Sequence, residues 1–483
     1  MEPEDSGSKH APEPNDGDGA RQVLVIGAGA AGISAARNLQ RLAGSAVRVI
    51  VLEARCRMGG RIDTRSLADG TCVDMGAAWV HGACSANPIA AIAARIGDGA
   101  GSLVETDDHD EVTFEAIGTV DAPGPSRRLP EADHDSIAKH MALTWSLHKG
   151  QQRKARAAAP ASPGTEVVDP SLWESLCALR TKRFGGVASL SERGALLFRW
   201  SWAYETEHDY AAPLEAYSSL WWDVDEAHGG GDWLWRHGYS VLIDHLAQGL
   251  DVRLDARVTR IARGSEGGLT VTLSDGETLN ADACISTLPL GVLQAGHVAF
   301  DPPLSPRKSL AIRRLGVGLL NKAAMRFERC FWASPSGHQP HVLFRVPLEA
   351  ARTRPEALES PYMVNLQPVT GSCVLVAYFT CETARHMESL SDSQVEAALL
   401  AMLASMYTAE VVSSASLVEI VISRWAEDDL ACASEAHAAR ALSSLHAVGA
   451  PTGPCAVRGA QVWLVLLHAR GRIARRPSRA IEA

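Results

Sequence analysis

Residues 23–53 constrain this chain more than any other stretch, because they spell a complete βαβ unit with glycines at its first turn. Val23, Leu24, Val25 and Ile26 form a short apolar run that stops at glycine, as a buried parallel strand does. Gly27, Gly29 and Gly32 follow with G-x-G-x-x-G spacing. The first permits a sharp turn and the second lets backbone approach a pyrophosphate. The third lets the next helix pack on the sheet, so that its N-terminal N–H groups face the phosphates. An alanine-rich helix to about Leu42 can end at Gly44, and Ala46–Leu52 reads as a second apolar strand ending on Glu53. That acid stands where a carboxylate can accept hydrogen bonds from ribose hydroxyls, and it disfavours a 2′-phosphate. The expectation is a dinucleotide, NAD or FAD.

The next run, Arg55-Cys56-Arg57-Met58-Gly59-Gly60-Arg61, favours FAD. A larger cofactor with a second pyrophosphate contact has use for it: Gly59-Gly60 admits the backbone and Arg61 is a forked donor. Together with the first motif, this run resembles the flavin-containing amine oxidase family, whose signature continues into R-x-G-G-R. The resemblance extends through Asp74-Met75-Gly76-Ala77-Ala78-Trp79-Val80-His81-Gly82, similar to the family stretch beside the flavin ring. It is closest to the polyamine oxidases. What it implies is an α/β chain in the family's two-domain architecture: a Rossmann-like FAD-binding domain and a second, α+β substrate domain.

The pattern divides accordingly. Residues 1–20, acidic and rich in Gly and Pro, read as a disordered tail and not a signal peptide. FAD-binding segments are expected at 21–105 and 233–298, substrate-domain segments at 106–232 (helical) and 299–425, and an atypical C-terminal segment at 426–483. Helices are expected from Asn87 to about Ile96, over His134–Lys149 and near Ser391–Met406. Gly150–Asp169 reads as a mobile low-complexity insertion. Leu269–Leu273 and Glu277–Asn280 read as a hairpin, and Asp282–Leu293 as a buried strand entering a proline turn.

A net charge of −10 argues against nucleic acid as the main partner and suits cationic small molecules. The ten cysteines are scattered without a C-x-x-C, and no H-E-x-x-H occurs, so no metal site is expected. They read as reduced thiols in a cytoplasmic protein, with peroxisome or nucleus as alternatives. No apolar run is long enough to span a membrane. Trp200–Asp232 carries seven aromatic residues and eight acids with no Lys or Arg. It is either a tryptophan-stapled helical pair with a solvated acidic face or a tunnel wall that attracts a polycation.

Lys322 lies among small and apolar neighbours in Gly316–Met325. It is either a snorkelling strand residue or a buried ammonium able to exchange a proton. By resemblance, Lys322 holds a water against the flavin N5 and His81 lies near the substrate. Gly27, Gly29, Gly32, Glu53, Arg55, Gly60, Arg61, Gly76, Ala77, Trp79 and Trp425 would bind the cofactor, and Val258 would meet the adenine through its backbone. The implied reaction oxidises a polyamine to an imine, with O₂ reduced to hydrogen peroxide. Cys432 and Cys455 lack the setting of a flavin-attaching cysteine, so FAD is expected to bind noncovalently. After Trp425 the family's aromatic segment and F-A-G-E-x-T motif are missing, although Val462–Leu467 can fill the missing strand. The alternatives are a catalytically impaired amine-oxidase-like binding protein and a histone-lysine demethylase relative. Oligomeric state is not legible.

Overall fold

The computed structural model describes residues 20–97, 103–106, 111–118, 123–158, 169–184, 192–222, 229–264, 267–333, 337, 339–346, 358, 362–433, 435–437 and 465–468. The tail at 1–19, Asp223, Asp225, Glu226, Cys455 and the arginines from Arg470 onward lie outside them.

The apolar run at the start becomes the strand Arg21–Ile26, flanked by Val47–Leu52 on one side and Ala283–Ser286 on the other, all parallel. Asp251–Arg253 extends this sheet at one edge, and Val465–His468 pairs antiparallel with Ala283–Ser286 at the other. Successive side chains leave a strand on opposite faces. Val23, Val25, Val49 and Val51 therefore pack against Ile33 and Ala36 of the helix Ala30–Ala43. Leu24, Ile26, Ile50 and Leu52 instead meet Val258, Ile261 and Val271. These last belong to a second sheet, ordered Thr278–Ala281, Leu269–Leu273, Val258–Arg263, Ala299–Asp301. Asp251–Arg253 and Val258–Arg263, only four residues apart, thus serve two different sheets.

The larger sheet has seven strands, ordered Leu417–Ile422, Leu320–Phe327, Val374–Thr380, Tyr362–Asn365, Val342–Val346, Glu111–Gly118, Pro123–Arg128. Its hairpin at 111–128 comes from the segment expected to be helical; Phe114 is buried with Phe327 and Leu343, so sheet packing claims it. Beyond the hairpin come the helices Glu131–Ala158, Leu172–Phe184 and Glu192–Tyr210. The first runs straight through Gly150, correcting the expected loop there: Q-Q-R-K-A-R-A-A is made of good helix formers, whose propensity outweighs one glycine. Residues 159–168 of that insertion lie outside the described ones.

The reduced-thiol reading is also corrected. Cys330 and Cys373 form a disulfide, 43 residues apart in sequence. They meet because antiparallel pairing brings the end of Leu320–Phe327 beside the start of Val374–Thr380, where Phe327 N–H donates to the Cys373 carbonyl (2.8 Å). No spacing rule carries that information. No described helix is long and apolar enough to cross a membrane.

Candidate functional site

The two glycine turns are one structure. Gly59 N–H donates to the Ala28 carbonyl (2.9 Å), and Gly29 and Gly59 form an isolated parallel bridge. The R-x-G-G-R turn is thus a second lip on the first βα turn, with Gly59 at φ +103° and Gly60 at φ +61°, a range that favours glycine. Arg57 braces the lip: its guanidinium donates to the carbonyls of Met58, Gly60 and Ile62 and pairs with Asp63. The R-x-G-G-R motif therefore has a structural cation that the sequence reading did not single out.

The glycines divide by what surrounds them. A Cβ on Gly32 would lie 1.8 Å from the Gly27 carbonyl oxygen, so Gly32 is demanded by packing. A Cβ on Gly29 would have no closer neighbour than the Gly59 oxygen at 3.7 Å. Gly29 also opens the helix Ala30–Ala43, whose first turn has no side-chain cap and no acid. Open space, uncapped N–H groups and the positive end of a helix dipole together suit a diphosphate. Glu53, at the end of its strand and 6% exposed, accepts from Ala28 N–H (2.7 Å) and Arg55 N–H (2.9 Å). Two fixed donors aim the carboxylate and leave it acceptor capacity for hydroxyl groups. The donor set fits the adenosine diphosphate half of a flavin dinucleotide.

Several expected cofactor residues take specific places. The Arg55 guanidinium pairs with Asp428 (2.8 Å), tying this turn to the segment after Trp425. The Arg61 carbonyl accepts from Ala77 N–H (3.1 Å), and a Cβ on Gly76 would stand 1.9 Å from it. Gly76 is needed for that close approach. Trp79 pairs with Leu234, and Val258 opens its strand opposite Leu273.

Lys322 is 2% exposed. Its Nζ donates to the carbonyls of Asp74 (3.0 Å) and Gly76 (2.6 Å) and lies 4.7 Å from the centre of the Tyr378 ring. The strand under it is locked by partners that sequence reasoning missed. Ser423 Oγ accepts from Lys322 N–H, and Asn321 Nδ2 donates to Glu388 Oε1 (2.7 Å). Trp425 donates from its backbone to Asn321 Oδ1 (2.9 Å) and from its indole to the Met75 carbonyl (3.1 Å). Trp425 is thus both core and a brace for the Asp74–Gly76 platform. The alternation around Asn321-Lys322 was the available signal: neighbours on one strand address opposite faces.

The Asp74 carboxyl accepts from Thr64 Oγ1 (2.5 Å) and, with both oxygens, from Tyr239 N–H (3.0 and 3.1 Å). It retains some accessible surface, yet burial dominates and pushes its pKa up to about 6 against the pull of Thr64, Tyr239 N–H and Lys322. His81 stands apart from this group: its side chain is 70% exposed, and its Nδ1 lies 2.9 Å from Asp232 Oδ2. Burial raises Asp232, but the His81 contact and Gly82 N–H outweigh it and hold the carboxyl below its ordinary range. Of the aromatic–acidic stretch, Trp202, Tyr217 and Trp222 are core, and Glu207 is buried where it accepts from Leu214 N–H. Trp200 and Tyr204 join Phe344, Tyr362 and Tyr378 in a series of stacked, tilted and edge-to-face ring contacts that reaches Lys322.

A family model described as flavin containing amine oxidoreductase matches residues 30–446. Polyamine oxidase 4 of Oryza sativa subsp. japonica is 33% identical over 84% of this chain and 76% of that protein. Polyamine oxidase 2 of Arabidopsis thaliana is 33% identical, again over 84% and 76%. Lysine-specific histone demethylase 1 homolog 2 of Oryza sativa subsp. japonica is 30% identical over 86% of this chain and 50% of that protein. Among solved structures, a putrescine oxidase redesigned in its cofactor binding matches with TM-score 0.65 at 19% identity, covering 90% of this chain and 91% of that one, a likeness of fold.

Proposed function

For a chain that belongs to the flavin-containing amine oxidoreductases and takes FAD as cofactor, we propose oxidation of polyamines. The carrying observation is the Lys322 ammonium, enclosed by two carbonyls and an aromatic face on a platform continuous with the glycine lips through Arg61–Ala77. Overall, a carbon–nitrogen bond loses two hydrogens to give an imine, and O₂ takes two electrons and two protons as hydrogen peroxide. Water then cleaves the imine to an aldehyde and a shorter amine.

Bound FAD supplies the two-electron acceptor that links the amine to O₂. The protein holds it and sets the geometry. The helix opening after Gly29, Glu53, Gly60 and Arg61 would hold the adenosine diphosphate half, and the Val258 backbone would meet the adenine. Ala77, Trp79 and Trp425 would line the flavin end, and Arg55, through its ion pair with Asp428, ties the segment after Trp425 to the glycine turn. Lys322 keeps one N–H for a water, because its two carbonyl partners fix the other two donors. The Tyr204–Tyr362–Tyr378 series, packed beside Lys322, would wall the amine end of the site and limit the water that reaches it. Exposed His81 and half-buried Asp232 stand as a pair able to meet an arriving polycation.

The test uses the full chain loaded with FAD, mixed without oxygen with spermine, spermidine, and a dimethyl-lysine peptide. Bleaching of the flavin by the free polyamines, followed by peroxide release in air, is the expected result. Bleaching by the peptide alone would identify a histone demethylase relative. Intact flavin with every amine would identify a binding protein that keeps the fold.

A further inference from the structure

Lys322 is held by backbone carbonyls, so its position depends on what fixes that backbone. Carbonyls at Asp74 and Gly76 receive the ammonium, and between them Met75 accepts the Trp425 indole. From the other side the segment is pinned by one carboxyl. Asp74 accepts from the hydroxyl of Thr64 and the N–H of Tyr239, and Thr64 Oγ1 in turn accepts from Ser240 N–H (3.0 Å). Tyr239 and Ser240 open the helix Ser240–Ala247, where no other side chain caps the N-terminus. The carboxyl thus couples three separate pieces of chain: the strand Cys72–Asp74, the strand Thr64–Ser66 and that helix.

We propose that Asp74 is a positioning residue of the oxidation reaction, its ionised carboxylate fixing the Asp74–Gly76 carbonyls that orient Lys322. This rests on the role given to Lys322 above. Among the described residues, the charged groups around Asp74 are few. Lys322 favours its ionised form, Asp63 opposes it while itself paired with Arg57 and Arg65, and Tyr239 presents its backbone N–H. With a pKa near 6, the carboxyl takes up a proton within the range where a flavoenzyme can be assayed. Once protonated, it loses the charge facing Lys322 and has less capacity to accept two donors at once. The platform then loosens.

The experiment is the pH dependence of flavin reduction by spermine in single turnover, alongside the visible spectrum of the bound flavin without substrate. In the natural chain, both should show a transition near pH 6, with reduction slower on the acid side. In Asp74→Asn, both transitions should vanish and reduction at pH 8 should fall by about 10–100-fold, the scale of a catalytic group displaced by an ångström. Thr64→Val removes a donor that favours the ionised form, so it should move the transition upward, a shift that damaged packing alone would not produce. A transition that persists in Asp74→Asn, or that Thr64→Val leaves in place, overturns the proposal. So does its absence from the natural chain. Should Asp74→Asn fail to fold, the direction of the Thr64→Val shift decides. Lys322→Met separates the two readings: unchanged flavin reduction in that variant refutes the parent mechanism, whereas slowed reduction with no effect of Asp74→Asn refutes only this one.

Discussion

Alanine placed at two glycines of the first turn should give opposite phenotypes. Gly29 has φ −74° and ψ 176°, a conformation open to any residue, and an added Cβ meets only the Gly59 oxygen at an ordinary 3.7 Å. Losing glycine's freedom in the unfolded chain stabilises by about 0.4–1 kcal/mol. Alanine is a poorer N-cap than glycine by up to ~1 kcal/mol, so the two nearly cancel. Gly29→Ala should therefore fold as well as the natural chain. Its methyl group, however, projects into the space given to the diphosphate, and a crowding cost of about 1–3 kcal/mol weakens FAD binding roughly 5- to 150-fold. At Gly32 the Cβ would lie 1.8 Å from a backbone oxygen and 3.0 Å from its carbon, with no flexible side chain to yield. Gly32→Ala should cost the apoprotein about 1–3 kcal/mol or more in stability. Urea unfolding of the apoproteins, paired with FAD titration by flavin fluorescence quenching, reads both quantities. Equal FAD affinity in Gly29→Ala and the natural chain would refute the placement of the diphosphate, and equal destabilisation by the two variants would refute the division between ligand glycine and packing glycine.

Further expectations concern stability. A native pKa of about 6 against an ordinary 3.8 means that the folded chain binds the Asp74 proton more tightly, so stability from this group falls as pH rises from about 4 through 6. At pH 8 that cost approaches ~3 kcal/mol, less for the carboxyl's partial exposure, and Asp74→Asn should flatten the pH dependence of apoprotein melting between 4 and 7; an unchanged slope would count against the burial argument. Cys373→Ser opens a cross-link spanning 43 residues and should lower stability by up to about 4 kcal/mol in reductant-free buffer, with no difference once both proteins are reduced. Glu388→Ala strips a shared acceptor from Asn321 Nδ2 and Ala426 N–H, at about 1–3 kcal/mol for each buried donor left unpaired, and should slow flavin reduction by loosening the Lys322 strand.

Local pattern was enough for the nucleotide-binding half, because a βαβ turn is built from neighbours: Val23–Ile26, the three glycines and Glu53 are a short stretch whose geometry follows from periodicity and glycine's conformational range. The helix capped by Ser391 was equally legible, since its capping box with Gln394 is a contact within one turn. The hairpin at 111–128 was not, because Pro123-Gly124-Pro125 within its second strand reads as a linker, and burial of Phe114 against distant strands decides its state.

What the linear chain determined by itself was the type of cofactor and the family of chemistry, both of which reside in motifs a few residues long. Tertiary structure alone decided that the two glycine turns form a single mouth, that Cys330 meets Cys373, and that the Lys322 ammonium donates to the carbonyl of Asp74, nearly 250 residues earlier. The reason is physical. Spacing along a chain predicts which side chains share a helix or strand face, whereas a buried ammonium or carboxyl is placed by whichever remote backbone groups satisfy it, and those are chosen by how the sheets pack.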